Sequence, residues 1–312
     1  MALALVFPGQ GAQTIGMGRD LADSYPAAKA VFDEVDAALD EALSTLIWEG
    51  DADALTLTAN AQPALMATSL AAFAALKAEG FDISRAAMVA GHSLGEYSAL
   101  AAAGALTITD AARLLRLRGQ AMQEAVPVGE GAMAALLGLD FETAQKVAGD
   151  AAQGQVCQAA NDNDPSQVVV SGHKAAVERA LELAKEAGAK RAILLPVSAP
   201  FHCALMQPAA DRMADALADV ELNAPAVPVV ANVTAAPVSD PAEIKRLLVE
   251  QVTGSVRWRE SVQAMGAAGV DEIWEVGAGK ALSGMVKRID RGIATRAVGT
   301  AADVRAAMDK GE

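Results

Sequence analysis

The stretch Val89-Ala90-Gly91-His92-Ser93-Leu94-Gly95-Glu96-Tyr97 constrains this chain more than any other. The apolar run ending at Ala90 reads as a short buried strand. Gly-His-Ser-Leu-Gly follows, and residues 96–103 read as a helix closed by Gly104. Strand, G-x-S-x-G and helix, in that order, is the context of a nucleophile elbow. The reason is steric. A turn this sharp leaves no room for a Cβ on either side of the serine, and it lifts the hydroxyl clear of the sheet edge. The helix that follows points unpaired N–H groups at the spot where an oxyanion would form. The plainer alternative is a Gly-Ser turn with no chemistry.

Around the elbow the pattern alternates. Residues 2–7 form an apolar first strand, then comes the loop Pro8-Gly9-Gln10-Gly11-Ala12-Gln13, with a helix from near Gly16. Helical periodicity runs over 26–46 and over 61–79, the latter with Asn60 as a candidate cap and Gly80 as a stop. Thr109 is a candidate cap for a helix over 110–125. Beyond Gly129-Glu130-Gly131 the pattern changes. Residues 132–137 read as a strand and 141–152 as a helix. Strands over 156–160 and 168–171 are joined by Asn161-Asp162-Asn163-Asp164-Pro165, a turn signal. A helix over 174–187, with His173 at its start as a capping or surface residue, and a strand over 191–195 complete a β-α-β-β-α-β order, that of a ferredoxin-like unit. Strands near 227–231, 272–276 and 293–298 then alternate with helices. This predicts an α/β fold with a mostly parallel sheet covered on both faces. The large body spans 1–128 and 197–312, and a small domain is inserted over 129–196.

Composition removes several function classes. The net charge of −14 argues against nucleic-acid binding, which needs a basic footprint. The two cysteines, Cys157 and Cys203, stand far apart without a CxxC and read as reduced thiols of a cytoplasmic protein. The first residues lack a basic n-region, so no signal peptide is expected. The longest Ala/Leu-rich run, over 65–76, is too short to span a bilayer. The glycine loops at 9–11 and 277–279 match neither dinucleotide nor P-loop spacing and read as strand-to-helix turns.

A serine hydroxyl needs a base, and the chain has three histidines. His92 is adjacent to Ser93, so its ring points elsewhere. His173 belongs to the inserted unit. His202 lies where the chain re-enters the large body and is the candidate base by elimination. Asp162 and Asp164 fit a serine–acid–histidine order but sit in the expected hairpin turn, so no orienting acid is evident. The N–H of Leu94, after the nucleophile, pairs with that of Gln10 on the first strand-to-helix loop as a candidate oxyanion hole. On the helix over 110–125 an apolar stripe carries Ala111, Leu114, Leu115 and Met122, with Arg118 on the same face. An inward arginine must find an anion. Two readings stand: an internal ion pair, or a substrate carboxylate gripped by the guanidinium fork.

Several motifs together carry a resemblance. Val6-Phe7-Pro8-Gly9-Gln10-Gly11-Ala12-Gln13, Gly91-His92-Ser93-Leu94-Gly95-Glu96-Tyr97, Arg118-Gly119, Ala199-Pro200-Phe201-His202, Glu250-Gln251 and Val256-Arg257-Trp258 occur in the order found in malonyl-CoA:acyl carrier protein transacylases, and the chain resembles that family nearly end to end. The resemblance implies an α/β-hydrolase-like core with a ferredoxin-like insert. It implies Ser93 as nucleophile, His202 as base, Gln10 and Leu94 as oxyanion donors, and Arg118 on the malonyl carboxylate. The family orients its histidine with a main-chain carbonyl, here that of Gln251, and Phe201 resembles members that prefer unbranched malonyl groups. The substrates implied are malonyl-CoA and the pantetheine arm of an acyl carrier protein, with no bound cofactor or metal. Docking an acidic carrier on an acidic chain calls for a local basic patch, for which Lys190, Arg191, Arg257, Arg259, Lys287 and Arg288 are candidates. A monomer is expected. The rival readings are a serine hydrolase or thioesterase using the same elbow, and a non-catalytic carrier-binding scaffold that keeps the fold.

Overall fold

The computed structural model describes residues 2–197 and 199–309. Among these described residues, ten strands form two sheets. They are β1 (Ala2–Phe7), β2 (Ala86–Gly91), β3 (Gly131–Leu137), β4 (Cys157–Asp164), β5 (Gln167–His173), β6 (Arg191–Leu194), β7 (Val229–Ala231), β8 (Ala236–Val238), β9 (Val270–Val276) and β10 (Ala294–Val298). The larger sheet has the order β10-β9-β1-β2-β7-β8 and is parallel except for its β7–β8 edge.

β1 shows why this sheet sits in the middle of the molecule. Its residues are apolar on both faces, as expected of a parallel strand covered twice. Leu3, Leu5 and Phe7 face a core built with the helices Pro26–Leu39, Thr58–Ala78 and Ile108–Glu124, whereas Ala4 and Val6 face a second core with Trp258, Val262, Leu282 and Val286. The helix Thr58–Ala78 is buried almost all round, which explains its nearly unbroken apolar sequence.

The second sheet is antiparallel, with the order β4-β5-β3-β6. Alternation along its strands sets its two faces apart. Ala134, Leu136, Val168 and Val170 pack on the helices Phe141–Ala152 and Lys174–Glu186. Met133, Ala135 and Val169 point the other way, into a cavity against the large sheet.

Three local expectations are corrected. The polar run Asn161 to Asp164 is not a turn but the end of β4, and the reversal falls after it. The strand tolerates these residues because their partners come from the large body: Asp162 N–H donates to Val256 O at 2.9 Å, and Asp162 and Asp164 pair with Arg259 and Arg288, each at 2.7 Å. Thr107, not Thr109, caps the helix Ile108–Glu124, accepting from Asp110 N–H at 2.9 Å. Asn60 lies inside its helix, which starts at Thr58, and its amide donates to Ala54 O instead.

Candidate active site

Strands β1 and β2 are parallel neighbours, with Phe7 in register with Gly91, so their carboxyl ends open side by side. Ligands of open α/β sheets bind outside such ends. The loop carrying Gln10 leaves β1 there. The elbow leaves β2 there and runs into the helix Gly95–Ala102. The two glycines are required by space. A Cβ on Gly91 would lie 1.9 Å from the Gly95 carbonyl, and one on Gly95 would lie 2.2 Å from Phe7 O. Ser93 between them has φ +52°, a left-handed conformation that costs a non-glycine residue about 1–3 kcal/mol. His202 has φ +58°. Both strained residues face one cavity of about 500 Å³, lined from the large body by Gln10, Leu94 and Arg118 and from the small sheet by Asn161 and Met133.

Ser93 Oγ lies 2.8 Å from His202 Nε2, and His202 Nδ1 lies 2.8 Å from the main-chain oxygen of Gln251. A carbonyl can only accept, so Nδ1 carries the proton and Nε2 is left to accept from the serine. Burial and the neighbouring Arg118 charge push the imidazole down to about 3, so at neutral pH it is uncharged and its Nε2, unprotonated, is open to accept. The orienting acid sought in the sequence is replaced by a carbonyl.

Arg118 is 1% exposed, and no carboxylate lies within ion-pairing distance of it among the described residues. Its partners are neutral: Nη1 donates to Gln62 Oε1 at 2.7 Å, and Nη2 donates to Gln251 Oε1 at 2.7 Å and to Ser93 Oγ at 3.1 Å. Its Nε has no hydrogen-bond partner among the described residues. Burial lowers its affinity for its proton. The internal ion pair considered above is therefore absent, and the guanidinium faces the serine hydroxyl. Phe201 is 9% exposed and lines the same cavity.

Sequence reasoning named Gln251 for its carbonyl and missed its side chain. The Nε2 group donates to Ser93 O at 3.0 Å and to Glu96 Oε2 at 2.9 Å. Asn232 was missed as well. Its Oδ1 accepts from Ser93 N–H at 2.8 Å, and its Nδ2 donates to Gly91 O at 2.7 Å, so it splints the elbow. Gln62 had one legible signal, a long amide side chain in a mostly apolar helix. His92 is turned away, as expected: Nε2 meets Asn163 Oδ1 at 2.8 Å and the ring packs on Trp258. His173 sits at the N-terminus of its helix, but its Nδ1 accepts from Val156 N–H at 3.0 Å rather than capping it.

The profile of the acyl transferase domain family matches residues 4–296. The chain is 50% identical over 297 residues to the malonyl CoA-acyl carrier protein transacylase of Bacillus subtilis, covering 95% of this chain and 93% of that one. It is similar to the crystal structure of the acyl-carrier-protein S-malonyltransferase of Bartonella henselae, with 55% identity, a TM-score of 0.97, and coverage of 99% and 98%. A malonyl-transacylase solved in complex with a type II PKS acyl-carrier protein is 43% identical, with a TM-score of 0.96 over 99% of each chain. A base-paired serine on a strand-to-helix elbow, and matches that run nearly end to end, place this chain in the acyl transferase domain family.

Proposed function

We propose that this chain moves the malonyl group of malonyl-CoA to the phosphopantetheine thiol of an acyl carrier protein, through a malonyl ester on Ser93. One observation carries the reading: the Ser93 hydroxyl is shared by a neutral imidazole at 2.8 Å and a buried guanidinium at 3.1 Å. A base alone would serve any acyl ester. A cation with only neutral partners suits an acyl chain that ends in its own carboxylate. The transacylase names of the relatives, and the neighbour solved with a carrier protein, support the same substrates.

The reaction runs in two halves. Ser93 Oγ attacks the thioester carbonyl as its proton passes to His202 Nε2. The oxyanion rests on the N–H groups of Gln10 and Leu94, each donor worth about 3 kcal/mol. The C–S bond breaks, and the coenzyme A sulfur leaves with the proton held by His202. The carrier's thiol then gives its proton to His202 and attacks the malonyl ester, and Ser93 recovers a proton. The Gln251 carbonyl holds the imidazole in one tautomer throughout, and Phe201 narrows the acyl end against branched groups. This route calls for no bound cofactor or metal, since the pantetheine arm arrives on the partner.

Further elements belong to the same proposal. Residues 129–196 are a ferredoxin-like insert in an α/β-hydrolase-like body over 1–128 and 197–312, as the order β4-β5-β3-β6 supports. The chain acts as a cytoplasmic monomer in fatty acid synthesis, without nucleic-acid or membrane partners. Among the described residues no helix is long and apolar enough to cross a membrane. Of the basic residues considered for carrier docking, Arg257, Arg259 and Arg288 pair with carboxylates of this chain. That leaves exposed Lys190, Arg191 and Lys287 for the acidic carrier.

Intact-mass measurement after incubation with malonyl-CoA tests the reading. A malonyl-sized adduct is expected that persists without carrier, vanishes when carrier is added, and never forms on Ser93→Ala. Free malonate released at the full turnover rate without carrier would make the protein a hydrolase. An unmodified serine with carrier still bound would make it a scaffold.

A further inference from the structure

Glu96 is a buried ionisable group beside the serine that the acyl-transfer route does not use. It opens the helix Gly95–Ala102 and is 1% exposed. Its Oε2 accepts from Gln251 Nε2 at 2.9 Å and from Asn232 N–H at 3.0 Å. These partners matter because of what else they hold. Gln251 Oε1 receives Arg118 Nη2 at 2.7 Å, so a single amide separates the buried carboxylate from the buried guanidinium. Such a pair balances charge without direct contact, so an incoming anion meets a guanidinium bonded to neutral groups.

We propose that Glu96 is the internal counter-charge of Arg118, relayed through Gln251, and that it takes up a proton when a substrate carboxylate replaces it in that role. It is a positioning residue for malonyl specificity and does not touch the reacting atoms. The inference rests on the malonyl-transfer reading above.

The surroundings leave few competitors. The helix Gly95–Ala102 packs on β1, β2 and β7, none of which contributes a titratable side chain, and on the helices Thr58–Ala78 and Ile108–Glu124. The first of these helices offers only Lys77, in its exposed last turn. The second offers Arg118 as its one fully buried charge, since Arg116 turns outward to Glu41. Tyr97, beside Glu96 on the helix Gly95–Ala102, is pushed up to about 12 and stays neutral. Of the nearby histidines, His92 and His202 are both held neutral by burial. Burial also raises Glu96 to about 7, against the opposing pull of Gln251, Asn232 and Arg118, so it is poised to change state near neutral pH. A second anion beside Arg118 raises it further. The bound complex then holds more protons than the free protein, so affinity falls as pH rises.

Calorimetric binding to Ser93→Ala, in buffers of different ionisation enthalpy, reads this directly. Malonyl-CoA should take up a substantial fraction of a proton near pH 7, and its Kd should rise as pH increases, toward a limit of about tenfold per pH unit. Acetyl-CoA, which shares the coenzyme A phosphates, should take up none in excess of them. The uptake should vanish in Ser93→Ala/Glu96→Gln and persist in Ser93→Ala/His202→Asn. Malonyl-CoA binding without proton uptake overturns the inference, as does uptake that survives Glu96→Gln or disappears with His202→Asn. Should Glu96→Gln fail to fold, the histidine variant still decides, because loss of uptake there assigns the proton to the imidazole. Absence of any malonyl adduct on the native protein would instead sink the parent reading.

Discussion

Arg118 is a buried cation bonded to amides and a hydroxyl, with Glu96 one amide away, so it has no direct anionic partner until a substrate carboxylate arrives. Truncating it should therefore act on one substrate and not another. Arg118→Ala is expected to lower malonyl transfer by at least the ~1–3 kcal/mol of a lost buried polar partner, about 5- to 150-fold in kcat/KM, while acetyl transfer persists or rises. Parallel assays with malonyl-CoA and acetyl-CoA check this, and equal loss of both would make the arginine structural. His202 makes a separate prediction. A free imidazole titrates near 6.5, but this one is held down to about 3. The base form then persists as pH falls, so single-turnover acylation of Ser93 at saturating malonyl-CoA should stay flat from about pH 8 to pH 5. A rate that halves near 6.5 would show that the imidazole is not held low. The sequence could name both residues but not the state of either. Arg118 was readable as inward from its stripe. Its partners Gln62 and Gln251 lie 56 and 133 residues away, and spacing on one helix carries no trace of them.

The helices that bring Arg118 to the serine touch where a glycine allows it. A Cβ on Gly119 would lie 2.6 Å from both Ala59 Cα and Thr58 O, in the first turn of the neighbouring helix. Gly119→Ala should push the helices Thr58–Ala78 and Ile108–Glu124 apart. An overpacking cost of about 1–3 kcal/mol is expected, and with it a fall in the malonyl-to-acetyl ratio as Arg118 and Gln62 lose register. Thermal melts and the two-substrate assay read the two effects, and an unchanged ratio would mean the guanidinium is held by its amides alone. Elements with a local cause were legible. The elbow announced itself through Gly91 and Gly95, whose missing Cβ atoms are a demand of the turn itself. β4 was not legible past residue 160. Asn161 to Asp164 has the composition of a turn, and only arginines nearly a hundred residues further on or more make it a strand. The caps erred by two residues at Thr107 for the same class of reason, since two threonines there offer equivalent hydroxyls and only one can face the helix end.

At the scale of the molecule, the cavity exists because the two sheets are held at a fixed separation. Asn161 shares a bridge with Val256, Asp162 pairs with Arg259, and Asp164 pairs with Arg288, all between β4 and the large body. The carboxylates carry the risk in these pairs, being 1% and 0% exposed against 23% and 49% for the arginine side chains. Removing an arginine strands a buried charge, whereas neutralising an aspartate releases a cation that water can reach. Arg259→Ala should therefore destabilise more than Asp162→Asn. The loss should fall below the ~3–5 kcal/mol of a fully buried pair, because Arg259 is already part-solvated. The pH dependence separates this from lost packing. Burial raises Asp162 and Arg259 opposes that rise, so removing the arginine leaves the folded-state value higher still above the unfolded one. A raised carboxyl penalises the fold at pH above its folded value, and the penalty fades as falling pH protonates it. The gap between Arg259→Ala and the native chain should thus be largest in urea melts at alkaline pH and shrink as pH falls into the acid range. A gap that stays constant with pH would assign the loss to the packing of the arginine's aliphatic stem, and the ionic clasp between the sheets would then have no part in setting the width of the site.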